Sequence, residues 1–140
     1  MGHIEFTIHK AARCVHFRGT GTISIGYLIE QIKVLQRHPD FDFSFNSFID
    51  FENATVPFEE AGFDDYASFV EARQQAKIHR KWSIYTKDEI TFQSANMSHL
   101  FESGSIDVGV FQNREAALAF LGITDDDLSI HSEFISPPVR

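Results

Sequence analysis

Ile4, Phe6 and Ile8 alternate with polar residues, the period of a strand with one buried face. His9-Lys10-Ala11-Ala12 has the length of a hairpin connection. Arg13 to Gly19 then alternates again, with Val15 and Phe17 on one side and Cys14 and His16 on the other. Two antiparallel strands therefore open the chain, and Thr20-Gly21-Thr22 breaks the pattern. Ser24 has the right chemistry for a helix N-cap, because its hydroxyl can accept from an otherwise orphaned N–H of the first turn. Behind it Ile25, Leu28, Ile32 and Leu35 recur at helical spacing, with Glu30, Gln31 and Lys33 mostly opposite. The helix is expected to stop near Arg37, since Pro39 disfavours helical geometry at His38.

Phe48-Ile49-Asp50-Phe51 is short and apolar apart from one carboxylate, which predicts a central strand buried on both faces, with Asp50 at its carboxyl end. Glu52 to Gly62 reads as a loop, marked by Asn53, Pro57 and Gly62. A second helix is expected from Asp64 or Asp65 to about His79, with Tyr66, Phe69 and Val70 inward and Glu71, Arg73, Gln74 and Lys77 toward water. Trp82 to Tyr85 is a strand, Asp88 to Ser103 a helix ended by Gly104, and Ile106 to Phe111 a last strand. Asn113 caps a final helix whose stripe is Ala117, Leu118 and Leu121, stopped by Gly122. The order β-β-α-β-α-β-α-β-α implies an α/β fold, with a mainly parallel central sheet, an N-terminal antiparallel hairpin and crossover helices over both of its sides. Residues 1–122 form one expected domain, and 123–140 an acidic C-terminal tail.

A chain of 140 residues is one domain's length, and such a domain buries roughly 70% of its unfolded surface. A net charge of -8 and a pI near 5.2 argue against a nucleic-acid partner, because phosphate contact needs a basic face. Cys14 has no second cysteine to pair with, which fits a reducing compartment. No apolar run has the length of a membrane span, and the first residues lack a secretory pattern, so cytoplasmic residence is expected. Phenylalanine stands out with 15 copies, several of them in residues 41–48. They either fill the core or line an apolar pocket or a self-association patch.

Catalytic and metal signatures are not found. Gly19-x-Gly21 lacks the remaining glycine and the lysine of a phosphate loop. The seven histidines have no helical metal-site spacing, and His79 with His99 would converge only through the tertiary fold. Cys14 reads as a small buried residue and not as a nucleophile. No cofactor is expected. Asp50 is the acid placed where α/β sheets hold ligands, or else it anchors the following loop by hydrogen bonds.

The order and spacing of Gly19-Thr20-Gly21-Thr22, His38-Pro39-Asp40-Phe41, Ile49-Asp50-Phe51 and the segment Asn113 to Gly122 resemble the STAS domain, more narrowly the small bacterial SpoIIAA-like family. The resemblance spans most of residues 3–122. It implies a regulatory domain whose anti-sigma factor antagonist members accept phosphate on a serine just after the central strand. Here the corresponding residues are Pro57 to Gly62, with no Ser or Thr. Glu59 or Glu60 would supply a fixed charge in place of phosphate, or would simply be solvated loop carboxylates.

Two functions follow as expectations. One is a non-enzymatic regulatory or protein-interaction module docking an unknown protein partner through Asp50, Glu59, Glu60 and the Arg73 face of the second helix. The other is a carrier or sensor of an apolar small molecule or lipid, implied by similarity to the Sec14/CRAL-TRIO use of the fold. A homodimer through the Phe-rich edge is compatible with either.

Overall fold

The computed structural model describes residues 2–56, 79–97 and 106–129. Among these residues five strands form one sheet in the order β1-β2-β3-β4-β5. They are β1 (His3–His9), β2 (Cys14–Thr22), β3 (Asn46–Thr55), β4 (Arg80–Thr86) and β5 (Ile106–Phe111). β1 and β2 pair antiparallel, and every later neighbour pairs parallel. This is the expected mainly parallel sheet with an antiparallel hairpin at its start. Among the described residues the helices are α1 (Ile25–Gln36), α2 (Glu89–Met97), α3 (Arg114–Leu121) and α4 (Asp125–Ser129).

Ser24 caps α1 as its chemistry predicts, its hydroxyl accepting from the Tyr27 N–H at 3.2 Å. The stripe Ile25, Leu28, Ile29, Ile32 and Leu35 is buried against one side of the sheet, on Ile4, Phe6, Val15, Phe17, Ile49, Phe51, Trp82 and Ile84. Of the Phe-rich segment, Phe45 joins this core, Phe41 packs on it, and Phe43 is partly exposed against Phe41. α2 packs against β4 and β5. The opposite side is covered by α3 and α4, where Cys14, Phe48, Tyr85, Ala117, Leu118, Leu121 and Leu128 form a second cluster. Its cover among the described residues thus comes from helices that follow the last strand.

Three boundaries also differ from the reading of the sequence. β2 does not break at Gly19 but runs on to Thr22, through a register shift that sets Phe51 and Glu52 of β3 against Gly19. A β-carbon at Gly19 would stand 2.8 Å from the Phe51 ring, so the missing side chain is what lets the strands close there. β3 continues five residues beyond Asp50, because Ala54 and the adjoining Val56 are buried and Thr55 O accepts from Ile23 N at 2.9 Å. Gly122 ends α3 in the left-handed conformation at φ 73°, as a C-cap requires. The chain then turns into α4, whose Leu128 is buried, so part of the acidic stretch is packed structure. The expected second helix and the second half of the third lie outside the described residues. None of the described helices is long and apolar enough to cross a membrane.

Candidate functional site

The β3 alternation that sends Ile49 and Phe51 toward α1 sends Phe48, Asp50 and Glu52 the other way. Register places His16 beside Phe48, and Tyr85 beside Asp50. The Phe48 ring is thereby sandwiched between His16, at 5.1 Å between centroids, and Tyr85, stacked at 6.4 Å. The Arg114 guanidinium lies 5.3 Å from its centre. Three groups, from two strands and a helix, meet around one aromatic side chain.

Asp50 is the electrostatic centre of this cluster. It is 7% exposed. Its Oδ1 accepts from the Glu52 backbone N–H at 3.1 Å, and its Oδ2 accepts from the Arg114 guanidinium at 2.9 Å. His16 Nε2 stands 3.6 Å from the same Oδ2, ion-pair range for a protonated imidazole. Burial works to raise the Asp50 carboxyl pKa. His16, the Glu52 N–H and Arg114 outweigh burial and hold it below the ordinary carboxylate range. Asp50 therefore remains ionised and hydrogen-bonded inside the sheet.

Arg114 is the partner the sequence reading did not single out. It occupies the first position of α3, directly after the capping Asn113, where the helix dipole disfavours a cation. Two carboxylates offset this, Asp50 on one arm and Asp125 of α4 on the other, at 2.9 Å each. Burial opposes its charge, yet the hydrogen bonds to Asp125 and Asp50 raise its pKa further. A base in the first turn of a helix, where acids are favoured, was the signal available in the sequence.

Glu52 extends the network to the surface. Its Oε1 accepts from the Tyr85 hydroxyl at 2.8 Å and faces Lys87 Nζ at 3.4 Å. Burial and the neighbouring Glu52 push the Tyr85 hydroxyl up to about 12. Beyond Glu52 lies an open groove of about 340 Å³ at the carboxyl ends of β2, β3 and β4. Thr22, Asn53, Thr55, Lys87 and Asp88 give it polar walls. Asp88 is fixed there by accepting from the Thr91 N–H at 2.9 Å. A second pocket, between α1 and the sheet, is apolar and holds only about 20 Å³.

Of the residues singled out beforehand, Asp50 lies at this cluster, in mid-strand and not at a strand end. Glu59, Glu60 and Arg73 lie outside the described residues, as does His99. His79 pairs with Asp107 at 2.8 Å on the surface. Among the described residues no three His, Cys, Asp or Glu side chains converge on a metal position. Burial pushes the Cys14 thiol up to about 12. Asp50, Tyr85 and Cys14 are thus all moved away from neutrality, opposite to the tuning of a general acid or base. No protein-family model, curated protein or solved structure matches this chain. Its geometry alone makes it a mixed α/β domain whose antiparallel hairpin and parallel core are consistent with the general STAS/SpoIIAA-like architecture.

Proposed function

We propose that the chain is a non-enzymatic regulatory or protein-interaction module of STAS/SpoIIAA type, working without a phosphoacceptor Ser or Thr in residues 57–62. The observation that carries this reading is the polar groove of about 340 Å³ at the carboxyl ends of β2 to β4. Ligands of open α/β sheets gather at strand carboxyl ends, and a shallow polar surface suits a transient partner. In the same strand that lines it, Asp50 is tied through Arg114 to Asp125. Glu59, Glu60 and Arg73 belong to the same proposed docking face on sequence grounds.

The carrier reading draws support from the aromatic lining of the α1 pocket, Phe17, Phe41, Phe45 and Trp82. Its volume of about 20 Å³ is room for little more than one water, whereas small-molecule pockets run to roughly 300–1,000 Å³. Opening it would require α1 to lift from the sheet. The protein-interaction reading is the stronger.

The test is capture from a lysate of the native host at modest salt. The chain should retain one consistent partner, and Asn53→Arg with Lys87→Glu should lower that capture by about tenfold while the fold is kept. Unchanged capture would remove the groove from the reading, and unchanged capture by Glu59→Ala with Glu60→Ala would remove the loop. Bound apolar mass in native mass spectrometry would favour the carrier instead.

A further inference from the structure

We propose that the outer edge of β5 is a self-association surface, on which a second copy of this chain adds its own β5 antiparallel about a two-fold axis at Gly109. β5 bonds to β4 on one side in an unbroken register from Ile106 to Phe111, and no other described strand reaches its outer side. Sheet edges are ordinarily defended by lysines, prolines, bulges or a covering segment. The strand Ile-Asp-Val-Gly-Val-Phe contains no lysine, proline or bulge. Asp107 is exposed and Val108 to Phe111 are all partly exposed. The opposite edge differs: in β1, Ile4, Phe6, Thr7 and His9 are buried.

The occupant follows from the strand itself. Val108-Gly109-Val110 reads the same in both directions, so a two-fold axis at Gly109 sets Val108 against the partner's Val110 and glycine against glycine. The same register sets Asp107 against the partner's Phe111, and no like charges face each other. Val108 and Val110 pack on the core beneath α1, so pairing continues one apolar layer from copy to copy. Asp107, the one ionisable group on the strand, is already held by His79 at 2.8 Å. On the other side the Phe111 ring folds over the place a Gly109 side chain would take, leaving the axis flat. Six residues a side is well below the roughly 20–30 of a stable interface, so the dimer is weak and concentration-dependent. The net charge of -8 on each copy opposes it, so salt strengthens it.

The inference is independent of the groove, and its test needs no partner. Sedimentation velocity of the full chain is run from micromolar to near-millimolar concentration at low and high salt. The mass should rise from 16.0 kDa toward twice that value, at lower concentration when salt is high. Amide exchange in residues 107–111 should slow with concentration while that of β1 does not change. Val110→Lys, an inward charge at the edge, should abolish the association with the circular dichroism kept. If that variant unfolds, the exchange measurement on the unaltered chain decides alone. A mass of 16.0 kDa at every concentration overturns the proposal, and so does a dimer whose slowed amides lie elsewhere.

Discussion

Arg114 holds two carboxylates with one guanidinium, and the consequence is clearest at Asp50. Removing the arginine leaves a buried carboxylate with only the Glu52 N–H and His16 beside it. Arg114→Ala should therefore cost about 2 kcal/mol at neutral pH in urea unfolding, since hydrogen bonds to charged groups are worth roughly 1.5–3 kcal/mol. The pH dependence has a definite sign. Asp50 titrates lower in the folded chain than the ordinary 3.8, so its stabilisation is complete above that value and fades as pH falls through the folded pKa. The gap between Arg114→Ala and the parent should shrink in the same acid range. A gap that persists unchanged there would mean that Arg114 acts by packing on Phe48 and not by charge.

Two glycines in neighbouring elements make a matched pair. In β2, a side chain at Gly19 would strike Ile23 and the Phe51 ring; at Gly26, in the first turn of α1, it would meet nothing within 4 Å. Gly19→Ala should destabilise by about 1–3 kcal/mol through overpacking. Gly26→Ala should stabilise by about 0.5 kcal/mol through helix propensity. Thermal unfolding of both variants gives the comparison, and equal effects would discard the close-approach account. The same two elements show what was legible beforehand. α1 was readable end to end because its cap, stripe and Pro39 stop are local signals. The continuation of β2 past Gly19 was not, because a glycine that breaks a pattern and one that admits a bulge look alike until Phe51 is seen across from it. At the site, Asp50 was found as the lone acid in an apolar strand. Its partners were missed because β2, α3 and α4 bring them from 34 residues before it to 75 after it.

Across the whole molecule the sheet is covered unequally. One side closes on α1 and on the segments that flank the strands, while the other is covered, among the described residues, by α3 and α4, which come after all of the strands. Leu128 is the buried residue of α4, and Cys14 sits in the cluster it helps close. The full chain should keep Cys14 unreactive toward thiol reagents near pH 8, since burial pushes its thiol up to about 12. Leu128→Ala should cost about 2–4 kcal/mol and speed Cys14 labelling. Labelling as slow as in the parent would mean α4 contributes nothing to that layer. The arrangement has a consequence for synthesis. Arg114 follows Asp50 by 64 residues, so a chain leaving the ribosome presents the acid, its histidine neighbour and the bare Phe48 face well before their counterion exists. Until the last helices emerge, Cys14, Phe48 and Tyr85 lack the leucines that bury them, and they must be kept from sticking to other chains by time, chaperones or both.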